Sequence, residues 1–281
     1  MKVFVAEKCG LCAGVKNAIS LAQEVLSKDK AVYSLGPIIH NDDVVNKLAA
    51  MGLHTVESID EISSGTVLIR SHGAAPAQIE RLKAKGLKII DATCVLVKRV
   101  QKIASELEQD GYAVVVLGNK DHPEVKAVVG CVQGASVVAG EDDLEKLPTD
   151  GNLGVICQTT QSPEYFARML WAICRRGFSQ LKAINTLCGE AVKRQQSAVE
   201  LCKKVDIMFV LGGLDSANTR KLAELCRVHN SQTYHLQNWN EIDKSKLAGR
   251  KTAGVTAGAS TPEWIISEFV EKLSRLENDA K

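Results

Sequence analysis

The chain has 281 residues, 45% of them apolar and 24% charged, which excludes a disordered protein and allows one large domain or two to three small ones. A net charge of +2 gives no footprint for nucleic acid or an anionic membrane surface. No apolar run approaches the ~20 residues that span a bilayer, and the apolar stretch Val3-Phe4-Val5-Ala6 is too short for a secretory signal, so a cytoplasmic location is expected.

Short apolar runs alternate with helix-period stretches from end to end. In chain order the expected strands are Val3–Ala6, Ala31–Leu35, Val67–Arg70, Leu87–Asp91, Ala113–Leu117, Leu153–Cys157, Leu181–Ile184, Ile207–Leu211 and Thr252–Thr256. Helical periodicity is expected over Val15–Leu26, Val97–Gln109 and Val192–Val205. This alternation predicts an α/β fold with mostly parallel sheets.

The order is repeated. Cys12, Cys94 and Cys188 each have a polar residue 28 positions downstream, at His40, His122 and Ser216, and a glycine 24 positions downstream, at Gly36, Gly118 and Gly212. Each unit also holds a turn that stops at a proline: Ser71-His72-Gly73-Ala74-Ala75-Pro76, Thr159-Thr160-Gln161-Ser162-Pro163 and Ala257-Gly258-Ala259-Ser260-Thr261-Pro262. Those prolines suit the first helical position, with Ser162 and Thr261 as expected N-caps. Three coincident spacings indicate three copies of one unit. The expected units are 12–93, 94–187 and 188–274, with the N-terminal strand in 1–11 completing the third unit and closing a pseudo-threefold ring around a central cavity. Residues 275–281 form a tail.

Nine cysteines are many for a chain in a reducing compartment, where metal binding or burial explains them better than disulfides. Cys131, Cys157, Cys174, Cys202 and Cys226 have apolar or amphipathic neighbours and read as small core hydrophobes. Cys9 forms a Cys-x-x-Cys with Cys12, but only Cys12 shares the repeat spacing, so Cys9 reads as a bystander. Three thiolates from three units suit a [4Fe–4S] cluster with one iron not bound by cysteine, left open as a Lewis acid. No fourth ligand stands at zinc spacing.

Ligands of open α/β sheets bind beyond the carboxyl ends of the strands, where helix N-termini favour anions such as a phosphate. His40, His72, His122, Glu124, Thr159, Thr160, Ser216, Asn218 and Ser260 all fall there, and the scarcity of lysine suits phosphate held by directed hydrogen bonds. Glu124 is the one carboxylate in the set, a candidate proton donor with Thr159 as relay. His54, His229 and His235 lie outside the repeated slots and read as structural.

Quoted in order, the motifs are Gly10-Leu11-Cys12-Ala13-Gly14-Val15, Gly36-Pro37-Ile38-Ile39-His40-Asn41, Ser71-His72-Gly73, Asp91-Ala92-Thr93-Cys94, His122-Pro123-Glu124-Val125, Gln158-Thr159-Thr160, Ser216-Ala217-Asn218 and Thr256-Ala257-Gly258-Ala259-Ser260. As an ordered set they resemble the 4-hydroxy-3-methylbut-2-enyl diphosphate reductase family, over nearly the whole chain. The resemblance implies a three-lobed trefoil and a [4Fe–4S] cluster on Cys12, Cys94 and Cys188. It also implies an allylic diphosphate substrate held by His40, His72, His122, Thr159, Ser216, Asn218 and Ser260. Glu124, Thr159 and His122 would then be catalytic, with ferredoxin or flavodoxin as electron donor, no nucleic-acid or membrane partner, and a monomer or homodimer. Leu11, Val95, the stretch Gly189-Glu190-Ala191 and Ala217 depart from the family pattern, most of them in the third unit. Two other readings suit three cysteines: a hydro-lyase of quinolinate-synthase type, and a non-catalytic cluster-based redox sensor.

Overall fold

A computed structural model of the chain describes residues 1–276; of the expected tail, 277–281 lie outside the described residues. The chain divides into two compact units. One joins Met1–Val15, Ile39–Val45 and the stretch from Gly189 onward; the other joins Lys16–Ile38 with Asn46–Cys188.

The larger unit holds two four-stranded sheets. In one, β2 (Val32–Leu35), β3 (Leu53–Val56), β4 (Thr66–Ile69) and β5 (Lys88–Asp91) lie in the order β3-β2-β4-β5. In the other, β6 (Ala113–Leu117), β7 (Ala135–Val138), β8 (Asn152–Cys157) and β9 (Gln180–Ala183) lie in the order β7-β6-β8-β9. The smaller unit holds β1 (Lys2–Val5), β10 (Ile207–Leu211), β11 (Thr233–Leu236) and β12 (Thr252–Ala257), ordered β1-β12-β10-β11. Every pairing is parallel. Strand β1 fills in its sheet the position that β5 and β9 fill in theirs. In register it sets Val3 beside Ala253 and Val5 beside Val255.

Central strands covered on both faces read as unbroken apolar runs, which is why β4, β6, β8 and β10 are legible from composition alone. Edge strands β3, β7 and β11 escape that rule. Each has four residues and mixes in polar side chains, His54 exposed and Ser136 and His235 partly exposed.

Helices follow the strands: α1 (Ala13–Leu26), α2 (Asp42–Ala50), α3 (Pro76–Ala84), α4 (Val95–Gln109), α5 (Pro123–Val129), α6 (Pro163–Cys174), α7 (Gly189–Cys202), α8 (Ala217–His229) and α9 (Glu263–Arg275). Helix α4 shows why: Val97, Val100, Ile103, Ala104 and Leu107 recur at helical spacing, and the stripe packs on Val114, Val116 and Ile156. Burying one such aliphatic side chain contributes about 1.5–3 kcal/mol. In the smaller unit, α9 lays Ile266, Phe269 and Leu273 against Phe209 and Val255, with the two phenylalanine rings 5.2 Å apart. No helix among the described residues is long and apolar enough to cross a membrane.

Two expectations need correction. Thr261 does not cap α9: its hydroxyl donates to the Leu211 carbonyl at 3.0 Å, and Pro262 takes the cap position instead. A fully buried hydroxyl is drawn to the strand-end carbonyl facing it, whereas Ser162 does cap α6, accepting from the Tyr165 amide at 3.2 Å. Cys174, expected in the core, is exposed at the last residue of α6.

Candidate functional site

Two hydrogen bonds recur in all three sheets and prepare the site. The glycine after each central strand donates to the carbonyl that ends the neighbouring edge strand: Gly36 to Val56 at 2.8 Å, Gly118 to Val138 at 2.9 Å and Gly212 to Leu236 at 2.9 Å. Each spacing cysteine then hangs its amide on the carbonyl of a proline-stopped turn. Cys94 donates to Ser71 at 3.0 Å, Cys188 to Thr159 at 2.9 Å and Cys12 to Ala259 at 3.1 Å. All three thiols are partly buried and outside any disulfide, and each directly precedes a helix, α1, α4 or α7. Soft, half-sheltered thiols at equivalent positions are the donor chemistry that an iron–sulfur cluster uses.

In the larger unit, His122 caps α5. Pro123 fixes the first helical φ, and the Glu124 amide donates to His122 Nδ1 at 3.2 Å. A ring nitrogen that accepts is unprotonated, so the neutral imidazole carries its proton on Nε2 as a donor. The His72 ring stands edge-on to His122, with centroids 5.4 Å apart and planes at 87°. Ser71, just before His72, is the residue that receives the Cys94 amide, so the histidine and the thiol are held by one turn.

Glu124 is 3% exposed. The Thr159 amide donates to its Oε1 and the Thr159 hydroxyl to its Oε2, both at 2.7 Å. Burial pushes the carboxyl above its ordinary range, and the two bonds from Thr159 oppose that rise without cancelling it. The Thr159 carbonyl receives the Cys188 amide, so Glu124, Thr159 and Cys188 form a continuous bonded path. Gln158 braces it, accepting from the Asn119 amide at 3.0 Å and donating to the Thr160 hydroxyl at 3.0 Å.

In the smaller unit, Ser216 caps α8. Its Oγ accepts from the Thr219 amide at 3.3 Å and from the Thr219 hydroxyl at 2.9 Å, which leaves the serine proton for another acceptor. Asn218, two residues on, has a buried Nδ2 with no hydrogen-bond partner among the described residues, a donor free to meet an incoming acceptor. Ser260 donates to the His40 carbonyl at 3.0 Å. Gly213 lies under the same carbonyl: a Cβ there would stand 2.6 Å from it, so no larger residue fits. Aimed N–H and O–H groups of this kind suit phosphate oxygens.

Cys9 packs beside the core of α9, and burial, with Glu263 nearby, pushes its thiol above the ordinary range. His235, read as structural, donates from Nε2 to the Gly212 carbonyl at 2.9 Å and pins the turn before Ser216. Among the departures, Ala191 is buried in α7, Val95 is exposed and Glu190 pairs with Lys193 at 3.2 Å on the surface. Sequence reasoning missed Arg194. It stands in the polar run Lys193-Arg194-Gln195-Gln196, where nothing separates a buried arginine from a solvated one, and yet it is 5% exposed.

A family model described as LytB protein matches residues 3–274. The 4-hydroxy-3-methylbut-2-enyl diphosphate reductase of Trichlorobacter lovleyi is 44% identical over 279 residues, 99% of each chain. That of Pelobacter propionicus is 43% identical over 277 residues, 98% of this chain and 99% of its own. Among solved structures, (E)-4-hydroxy-3-methyl-but-2-enyl diphosphate reductase, described as the terminal enzyme of the non-mevalonate pathway, is 38% identical. Its TM-score is 0.70, with 98% of this chain and 100% of that one covered. The E-1-hydroxy-2-methyl-but-2-enyl-4-diphosphate reductase of Plasmodium falciparum is 27% identical with a TM-score of 0.91, covering 97% of this chain and 88% of that one. The chain belongs to the LytB protein family.

Proposed function

We propose that this chain is an oxidoreductase that removes the hydroxyl of 4-hydroxy-3-methylbut-2-enyl diphosphate, giving isopentenyl and dimethylallyl diphosphates. The observation that carries this is the buried Glu124 carboxyl, bonded twice to Thr159, whose carbonyl in turn holds the amide of Cys188. An acid whose pKa burial raises is thus bonded to the turn that holds a thiol of the repeat.

The reaction breaks one C–O bond and forms one C–H bond; two electrons and two protons enter, and the oxygen leaves as water. Cys12, Cys94 and Cys188 would hold the [4Fe–4S] cluster, with one iron not bound by cysteine and the three units, 12–93, 94–187 and 188–274 with 1–11, arranged as a pseudo-threefold trefoil. When bound, such a cluster supplies one-electron transfer and a Lewis-acid position. The protein's own groups do the rest. The Thr159 hydroxyl, which donates to Glu124 Oε2 at 2.7 Å, would turn its proton toward the substrate and take the carboxyl proton of Glu124 in its place. His122 would donate from Nε2, and His40, His72, Ser216 and Asn218 would grip the diphosphate by hydrogen bonds, joined by Ser260 once its hydroxyl turns from the His40 carbonyl. Ferredoxin or flavodoxin is the proposed electron donor, in the cytoplasm, to a monomer or homodimer.

The test is an anaerobic assay with the reconstituted protein, a reduced one-electron dye and the hydroxymethylbutenyl diphosphate. Dye oxidation at two electrons per diphosphate product supports the proposal. Product without electron consumption would point to the hydro-lyase, and a cluster with no turnover to the sensor.

A further inference from the structure

Arg194 is the second residue of α7's second turn and is buried, yet among the described residues it forms no ion pair with a carboxylate. Its Nη2 donates to the Gly10 carbonyl at 2.8 Å, and its Nε is buried without a hydrogen-bond partner. One turn along α7, Ser197 Oγ accepts from the Lys8 amide at 3.2 Å. Helix α7 therefore clasps the loop from Lys8 to Cys12 at two points. From the other side the loop is held by Gly10 donating to Ala257 at 3.3 Å and Cys12 donating to Ala259 at 3.1 Å. Gly10 has φ +76°, and a Cβ there would meet Ile266 Cδ1 at 3.0 Å, so the loop path is set by close approach. The Glu263 carboxylate comes to 3.9 Å from that Cβ position without pairing with Arg194. Burial and Glu263 raise the pKa of the neighbouring Cys9 thiol, and Arg194 opposes that rise without cancelling it.

A guanidinium buried without an anion is costly, because desolvation is not repaid by a partner charge. Among the described residues no carboxylate pairs with it, and the loop it holds is where an anion would meet it. A cysteine-ligated cluster is a net anion and becomes more negative on reduction, and its potential follows nearby charge and hydrogen bonding. We propose that Arg194 is a positioning residue for the Cys12 loop and the fixed counter-charge of the cluster that Cys12 helps to hold. This rests on the cluster reading under Proposed function. Two consequences follow: the loop is pre-shaped before the cluster is present, and reduction is easier than it would be without the guanidinium.

The experiment compares wild type, Arg194→Gln and Arg194→Lys as full-length protein. Before reconstitution, alkylation of the Cys12 peptide is timed by mass spectrometry. After reconstitution, iron content and the midpoint potential are measured by a redox titration followed by electron paramagnetic resonance. Arg194→Gln should alkylate Cys12 several-fold faster and lower the reduction equilibrium about tenfold, ~59 mV for one electron. Arg194→Lys, which keeps the charge on a shorter reach, should recover the potential and only part of the protection. If Arg194→Gln does not fold, the lysine variant decides alone: faster alkylation at an unchanged potential supports the proposal, and wild-type alkylation overturns it. Wild-type alkylation and potential in Arg194→Gln, with iron content intact, overturn it as well. A wild type that takes up no iron overturns the cluster reading and this proposal together, which separates the two failures.

Discussion

The hydroxyl of Thr159 sits 2.7 Å from Oε2 of Glu124, and the amide of the same threonine sits 2.7 Å from Oε1, so one residue satisfies both oxygens of a buried acid. Such a pair keeps the carboxyl in place in either protonation state, which a proton donor that must be reloaded requires.

Glu124→Gln retains the size and an acceptor for the Thr159 amide but has no acid proton. Turnover in the anaerobic dye assay should fall at least ~100-fold, within the range ascribed to one general acid. Iron content and substrate affinity should stay at wild-type levels. Undiminished turnover would remove Glu124 from the mechanism.

The same acid makes stability depend on pH. Its folded pKa is raised by burial, so the native state holds a proton that the unfolded chain releases near the ordinary carboxylate value. That contribution is fully present below the unfolded pKa and is lost as pH rises through the raised folded pKa. Glu124→Gln should therefore gain in melting temperature relative to wild type across that rise. A constant difference between the two proteins at all pH values would contradict this assignment.

Thr159→Val removes the hydroxyl and leaves Oε2 of Glu124 without its donor. An unsatisfied buried polar atom costs about 1–3 kcal/mol, readable as a lower urea midpoint at unchanged slope. Proton relay should slow in the same variant, whereas Thr159→Ser should restore most of the rate.

Ser216→Ala removes the cap of α8. Stability should drop by ~1 kcal/mol, and the affinity for pyrophosphate should weaken as the outward serine proton is lost. Equal pyrophosphate binding in the variant would restrict Ser216 to its capping role.

Cys94→Ser should lose most of the reconstituted iron and all turnover. Cys174→Ser, at an exposed position at the end of α6, should keep both. Equal iron loss in the two variants would point to general damage, not to a ligand.

Much of this protein can be read along the chain because its signals are local. Buried parallel strands such as β6 and β10 are unbroken apolar runs, and α4 carries its core stripe at helical spacing. The shorter interval marks the glycine that ends each central strand, and the longer lands on the helix cap at His122 and Ser216 but one residue before it at His40, where Asn41 accepts from the Val44 amide. The edge strands β3, β7 and β11 are not legible, since four residues of mixed burial with polar members satisfy no period, and pairing makes them strands. The capping roles of Ser162 and Thr261 look identical in sequence. Only the Leu211 carbonyl, 50 residues away in the chain, diverts Thr261 to a different bond.

By itself, the sequence determined the α/β alternation, the threefold spacing and the residue types that can bind iron, grip an anion or give a proton. Those follow from side-chain chemistry and local periodicity. Tertiary structure decided which groups share an environment: that Glu124 is buried against Thr159, that His122 Nδ1 accepts from the Glu124 amide, and that Arg194 is buried with no ion pair among the described residues and bonded to the Cys12 loop. Protonation and charge are set by solvent exclusion and by partners 35 or 184 residues away, and no local pattern encodes either.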